Sequence, residues 1–148
     1  MKTVIDDQVL VIERTIAAPV EKVFDAWVKP ELLVQWWGPE GMSIPKHSLD
    51  VREGGAWETT MRNADGGEVV VSGVYKTIDR PNRLVFTWAW VQDDGSRGEE
   101  TEVSVSFAAE GDGTRMTLDQ RSFAEVANRD NHGMGWQSSF NCLDQLFA

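Results

Sequence analysis

The sequence RLVFTWAWVQDDGSRGEETEVSVSFAAEGDGTRMTLDQR, residues 83–121, alternates between large apolar side chains and small or polar ones. Alternation with a period of two residues is typical of β-strands that bury one face. Two turns rich in Gly and Asp interrupt this pattern, and short connections of that kind join antiparallel neighbours. The strands predicted on either side of the turns are 83–91, 101–109 and 114–122.

The same pattern extends from this region toward the N-terminus. Residues 9–16 are rich in β-branched side chains and predict a first strand. Further strands are separated by turns such as Glu53-Gly54-Gly55, and they are predicted at 43–52, 56–62 and 68–78. The chain is therefore expected to form seven antiparallel strands.

Three helices complete the predicted fold. After Pro19, apolar residues recur with the helical spacing i, i+3, i+4, i+7 and i+8 and predict an amphipathic helix. A second short helix is predicted at 31–37, where Gly38-Pro39 would end it. At the C-terminus the same reasoning predicts a long helix through Trp136, Phe140, Leu143 and Phe147. Its candidate N-caps are Asn128, Asp130 and Asn131.

Composition excludes several classes of function. The 148 residues carry 14 Lys and Arg against 24 Asp and Glu, a formal net charge of −10, which repels nucleic acid and anionic membranes. No apolar segment approaches the roughly 20 residues of a spanning helix, and no signal-peptide pattern is present. We therefore expect one cytoplasmic domain, residues 1–148. The single Cys142 excludes an internal disulfide, and with two histidines it makes no zinc site.

Alternation also assigns the two faces of the predicted sheet, because successive side chains of a strand point to opposite sides. The side chains expected to point inward are Trp57, Thr59, Met61, Leu84, Phe86, Trp88, Trp90, Val103, Val105, Phe107, Met116, Leu118 and Gln120. Those expected to face solvent are Glu58, Thr60, Arg62, Glu102, Ser104, Arg115, Asp119 and Arg121.

The dimensions of the elements favour a cavity. Seven strands about 4.8 Å apart span roughly 30 Å, whereas a helix with its side chains is about 10 Å wide. One terminal helix therefore leaves part of the inward face uncovered, and the short helices close only one end. The alternative is that the seven tryptophans fill this space completely.

The candidate ligand-binding residues are the large side chains of the inward face and of the terminal helix. We predict a lining made of Trp57, Met61, Phe86, Trp88, Trp90, Phe107, Met116, Trp136 and Phe140, with Gln120 and Tyr75 as polar contacts. Arg14 shares a side of its strand with Ile12 and Ile16, and a buried guanidinium needs a partner. That partner is either a structural carboxylate or the anionic group of a ligand.

The residues that commonly perform catalysis have no positioned partners in this sequence. His47 and His132 are interpreted as structural or surface histidines, because neither has a partner at motif spacing. Cys142 is interpreted as a buried, inert thiol. We therefore predict no catalytic residue, no metal and no cofactor.

Several motifs together resemble a known family, that of the activator of heat-shock-protein-90 ATPase homologues. They are Arg14, Ala18-Pro19, Val23-Phe24, residues 36–41 (WWGPEG), residues 50–55 (DVREGG), Met61, Asp65-Gly66, Gly73, residues 83–85 (RLV) and Gly135-Trp136. This family belongs to the START-like or SRPBCC superfamily. The resemblance implies an α+β helix-grip fold, as in the major birch-pollen allergen: a curved seven-stranded antiparallel sheet around a long C-terminal helix, with two short helices between the first two strands.

The resemblance leaves three functions open. The leading hypothesis is non-enzymatic binding of a small hydrophobic molecule between the sheet and the last helix. The second is an enzyme similar to the superfamily's polyketide cyclases and dehydratases, which would need a polar dyad inside the cavity. The third is a chaperone cofactor or stress-response protein. Eukaryotic co-chaperones of the family use an additional N-terminal domain, of which we expect no counterpart in these residues. Both a monomer and a homodimer agree with the sequence.

Overall fold

The computed structural model describes residues 9–123 and 125–148, and its strands there form one antiparallel sheet. The strands are β1 Val9–Ile16, β2 Ser43–Leu49, β3 Ala56–Arg62, β4 Glu68–Asp79, β5 Arg83–Val91, β6 Thr101–Glu110 and β7 Gly113–Arg121. The helices are α1 Val20–Val28, α2 Pro30–Leu33 and α3 Val126–Leu146. The sheet order is β1-β7-β6-β5-β4-β3-β2.

This arrangement confirms the predicted helix-grip fold. The two short helices lie between β1 and β2 in sequence, and β1 crosses to pair with β7 at the far edge of the sheet. No helix within the described residues is long and apolar enough to cross a membrane. The first eight residues, which bear on the expectation about a signal peptide, lie outside the described part of the chain.

Three predicted boundaries differ from the structure by more than one residue. The second strand ends at Leu49 because residues 50–55 turn back, with the Gly55 N–H donating to the Arg52 carbonyl. The second helix ends at Leu33, since the following N–H groups of Gln35 and Trp36 bond to carbonyls three residues earlier. This tighter winding carries Trp36 and Trp37 into the core.

The third difference concerns the start of α3. Asn128, Asp130 and Asn131 lie inside this helix and do not cap it. The N-cap position belongs to Glu125, whose carbonyl accepts the Arg129 N–H at 3.1 Å. The helix thus begins earlier than predicted, and Asn128 and Asn131 belong to its first turns.

The inward face of the sheet is buried as predicted. The side chains predicted to point inward on β3, β5, β6 and β7 are all buried except Trp90, which is partly exposed. One residue of the outer face differs from the prediction, since Thr60 is 6% exposed. It lies between its cross-strand neighbours Lys46 and Val70.

Tryptophans of the short-helix region close one end of the fold. The Trp27 ring packs on Trp36 with centroids 4.8 Å apart and on Trp37 at 5.9 Å, both edge to face. Trp36 Nε1 donates to the Ala26 carbonyl at 3.0 Å, which satisfies its buried N–H. These packed rings fill the space beneath the short helices.

Candidate functional site

A pocket of about 290 Å³ lies between the first half of α3, the end of β5 and the loop after α2. The described residues that line it are Trp37, Gly38, Pro39, Met61, Trp88, Trp90, Asn128, Asn131, His132, Gly135, Trp136 and Ser139. None of these side chains is Asp, Glu, Lys or Arg. The chain therefore builds an uncharged pocket inside a domain of strongly negative net charge.

Four indole rings form much of the pocket wall and support one another. Trp88 lies at the centre, with its ring centroid 5.1 Å from Trp136, 5.5 Å from Trp90 and 5.8 Å from Trp37. The Trp37 and Trp136 rings meet nearly at right angles, at 5.6 Å. Edge-to-face and tilted packing of this kind fixes ring orientation, so the wall is rigid.

The indole N–H groups of this wall are already hydrogen-bonded within the protein. Trp37 Nε1 donates to Thr59 Oγ1 at 3.0 Å, and Trp136 Nε1 donates to Gln120 Oε1 at 2.8 Å. The Gln120 amide in turn donates to Thr101 Oγ1 at 2.8 Å, which satisfies this buried side chain. The tryptophans therefore offer a ligand aromatic carbon surface, with their N–H donors turned into the protein.

The other two tryptophans are held by His132. Trp90 Nε1 lies 2.9 Å from His132 Nε2, and Trp88 Nε1 lies 3.3 Å from the same atom. An indole N–H can only donate, so Nε2 acts as the acceptor and carries no proton. His132 Nδ1 lies 2.8 Å from the Asn128 carbonyl oxygen and must therefore be the protonated nitrogen. The geometry thus fits neutral histidine.

Burial supports the neutral form of His132. Desolvation lowers the pKa of this side chain below its ordinary value, although the hydrogen bond to the Asn128 carbonyl and the charge of Glu99 act in the opposite direction. Protonation at Nε2 would place an N–H against two indole N–H groups. The two hydrogen bonds from Trp88 and Trp90 to Nε2 therefore require the uncharged form of His132.

This arrangement predicts a dependence of stability on pH. Because the folded-state pKa of His132 lies below 6.5, its usual value, the folded protein binds fewer protons than the unfolded chain. Its contribution to stability is complete above pH 6.5 and declines as the pH falls below that value. We expect the melting temperature to decrease between pH 6.5 and pH 5, as measured by circular dichroism.

The control for this prediction is His132→Gln. Its amide oxygen still accepts an indole N–H but does not titrate, so the wild-type decrease should be smaller in this variant. An equal decrease in both proteins would show that other groups cause it.

Gly135 forms a bare section of the helical wall. A Cβ atom built on this residue would meet only Pro39 Cγ, at 3.9 Å, so the space beside it is open. Gly133, two residues earlier, faces the other way, and its Cβ would lie 3.2 Å from Leu10 Cδ1 on β1. A glycine inside a helix costs about 1 kcal/mol relative to alanine. The helix bears that cost at Gly135, and the absence of a side chain there leaves room in the pocket.

The structure brings only some of the predicted binding residues into this pocket. Met61, Trp88, Trp90 and Trp136 line it. Trp57, Tyr75 and Phe86 line a separate space of about 10 Å³, which is enough for one water molecule. Phe107, Met116, Gln120 and Phe140 are buried in the core and do not line the pocket.

Arg14 lies outside the pocket and connects β1 to α3. Its guanidinium donates to Gln137 Oε1 at 2.7 Å, Asn141 Oδ1 at 2.9 Å and Asp144 Oδ2 at 3.1 Å. It also lies 5.8 Å from the centroid of the Phe140 ring. Of the alternatives for Arg14, this geometry matches the structural ion pair, with three of the five guanidinium N–H groups bonded to α3.

The sequence reasoning predicted Trp136 of α3 as a lining residue but missed the other residues of that helix that line the pocket. His132 was interpreted as a structural or surface residue, and Asn131, Gly135 and Ser139 were not considered as lining. A signal was available, because Asn128, His132 and Trp136 are spaced at i, i+4 and i+8 and share one helical face. Within the described residues, no group of three His, Cys, Asp or Glu side chains could hold a metal ion.

Comparisons with known proteins agree with this fold. A family model described as Activator of Hsp90 ATPase homolog 1-like protein matches residues 17–148. The crystal structure of the AHSA1 protein from Silicibacter pomeroyi is 36% identical, with a TM-score of 0.85 over 93% of this chain and 95% of that one. A crystal structure from Chromobacterium violaceum is 25% identical, with a TM-score of 0.85 over 95% and 96% of the two chains. A search of curated proteins gives no match.

Proposed function

This chain belongs to the family of Activator of Hsp90 ATPase homolog 1-like proteins, and from that premise we propose that it binds a small, largely apolar aromatic ligand without converting it. The observation that carries this proposal is the uncharged pocket between four tryptophans and the bare helix surface at Gly135. We propose the cytoplasm as the place of binding, an expectation that depends on the sequence pattern alone.

Pocket size and chemistry support a ligand of one to three rings. Ligand pockets commonly measure about 300–1,000 Å³, and the volume of about 290 Å³ lies just below that range, which favours a small ligand. Each Å² of apolar surface removed from water contributes about 25 cal/mol. A flat aromatic molecule held between indole rings buries most of its surface, so apolar burial is the main source of affinity in this proposal.

The geometry favours binding over catalysis. An enzyme of the cyclase or dehydratase kind needs a positioned acid or base within hydrogen-bond reach of its substrate. His132 is the one ionisable side chain among the described lining residues, and both its ring nitrogens are engaged by protein groups. A proton transfer through His132 would first have to break one of those hydrogen bonds.

A titration with neutral aromatic compounds tests the proposal. We expect naphthalene to change the tryptophan emission in a saturable way and to raise the melting temperature, because a ligand that binds only the folded state stabilises it. At a free ligand concentration of ten times Kd the gain is about 1.4 kcal/mol. Native mass spectrometry of protein purified from its own host would identify a retained ligand. The absence of saturation with every neutral one- to three-ring compound would contradict the proposal.

A further inference from the structure

Ser139 is the one polar side chain of the pocket that is both buried and without a protein partner. It is 4% exposed and lines the pocket from α3. Among the described residues, 9–123 and 125–148, no group hydrogen-bonds to its hydroxyl. Its oxygen is not among the fully buried atoms without a partner in the described residues, which are Trp27 Nε1 and Trp57 Nε1, so the hydroxyl is accessible from the pocket and can bond to a ligand.

The neighbouring polar groups do have partners. The adjacent Ser138 hydroxyl accepts the Glu40 N–H at 2.8 Å and approaches Glu40 Oε1 at 3.2 Å. At the start of α3, Asn128 Nδ2 donates to Glu99 Oε1 at 3.0 Å. The indole N–H groups and both nitrogens of His132 are also engaged, as described above. Asn131 also lines the pocket, but its side chain is exposed to solvent, so Ser139 is the buried polar side chain of the lining that is left for a ligand.

The position of Ser139 places its hydroxyl at one end of the pocket. Asn131, which is exposed, lies eight residues earlier on α3, and at about 1.5 Å per residue this separation is about 12 Å along the helix. Gly135 lies midway between them and leaves the helix surface bare. A flat ligand that lies along α3 across Gly135 would reach the Ser139 hydroxyl with its buried end.

The charges around the pocket limit the kind of group that can meet Ser139. No lining residue is Lys or Arg, and Arg14 lies outside the pocket, where its guanidinium bonds to Gln137, Asn141 and Asp144 of α3. The hydrogen bonds that His132 makes with Trp88, Trp90 and the Asn128 carbonyl fit only its neutral form. A carboxylate in this pocket would thus lose its hydration with no cation to replace it. An uncharged oxygen avoids that cost and still forms a hydrogen bond.

We infer that Ser139 is the polar anchor of the pocket, and that the ligand is an uncharged aromatic molecule carrying a hydroxyl or carbonyl oxygen at its buried end. This inference depends on the proposed function. It adds the chemical class of the ligand, the residue that recognises its polar group, and the direction in which the ligand lies.

The test compares three probes on the wild-type protein and on Ser139→Ala, with affinities measured by NMR titration at neutral pH. Naphthalene has no polar group, 2-naphthol adds an uncharged hydroxyl, and 2-naphthoate adds a carboxylate. We expect S139A to weaken 2-naphthol binding about 3- to 10-fold relative to naphthalene, the range of one neutral hydrogen bond. We also expect 2-naphthoate to bind the wild-type protein at least about tenfold more weakly than 2-naphthol.

Ser138→Ala is the matched control, because it removes a hydroxyl from the next residue of α3, which does not line the pocket. Its ratio of 2-naphthol to naphthalene affinity should equal the wild-type ratio. Alanine favours helix at least as well as serine, so both variants should remain folded, and their NMR spectra will verify this.

The possible outcomes separate the two proposals. If naphthalene binds the wild-type protein but S139A leaves the affinity ratio unchanged, Ser139 is not the anchor, and the proposed function stands. If 2-naphthoate binds as tightly as 2-naphthol, the uncharged class of ligand is wrong. If none of the three probes binds the wild-type protein, the proposed function itself fails, and this inference fails with it.

Discussion

Replacing Gly135 with leucine is expected to weaken the binding of naphthalene about 10- to 100-fold while the protein remains folded. A Cβ at this position meets only Pro39 Cγ, at 3.9 Å, so the new side chain enters the pocket without displacing the backbone. It then occupies the space between α3 and the tryptophans that the ligand would need. The same change removes a helix-interior glycine, which should raise the free energy of unfolding by about 0.5–1 kcal/mol.

Titration followed by tryptophan emission and urea denaturation would measure these two effects separately. Gly133→Ala is the control, since it also removes a glycine from α3 but points toward Leu10 on β1 and away from the pocket. Its affinity for naphthalene should stay within about twofold of the wild-type value. Undiminished binding in Gly135→Leu would show that the ligand does not lie against this part of the helix.

Replacing Gly73 with alanine is expected to lower the free energy of unfolding by about 3 kcal/mol or more, in the range of severe overpacking. An added Cβ would lie 1.8 Å from the Thr87 carbonyl oxygen and 2.7 Å from Trp57 Nε1. The first of these neighbours is backbone, which cannot move without separating β4 from β5. The sheet is locally irregular here, because the Val74 N–H donates to the Thr87 side chain at 2.8 Å.

Gly95→Ala separates this steric effect from the general cost of replacing a glycine. Gly95 has φ +89°, and its added Cβ would meet nothing within 4 Å. Its replacement should therefore cost only about 1–2 kcal/mol of backbone strain. Chemical denaturation of both variants measures the difference. If Gly73→Ala were no less stable than Gly95→Ala, the close approach of β4 and β5 at this residue would be wrong.

Much of the fold could be predicted because periodicity is a local property of the chain. The alternation in residues 83–121 predicted three strands, and residues 9–16 predicted β1, whose last residue is Ile16 as expected. Element ends were predicted less well, since they depend on hydrogen bonds to distant groups. The second strand ends at Leu49, and in the turn that follows it the Gly54 N–H bonds to the Tyr75 carbonyl of β4. No local pattern indicates that partner.

The candidate site was predictable only in part, because alternation identifies inward side chains but not what covers them. Trp88 and Phe107 both point inward and were both predicted to line the cavity. In the fold, α1 packs against Phe107, with the Phe24 and Phe107 rings 5.3 Å apart. Trp88 instead faces α3, where Gly135 leaves space. Similar sequence patterns therefore led to a core residue in one case and a pocket residue in the other.

By themselves, the spacings of apolar residues determined the seven strands, the terminal helix and the uncharged character of the inward face. The tertiary structure decided which part of that face stays open, and it placed His132, Gly135 and Ser139 in the lining of the pocket. The physical reason is that side-chain direction follows from local backbone geometry, whereas coverage depends on how elements distant in sequence pack together. An open pocket is a property of that packing.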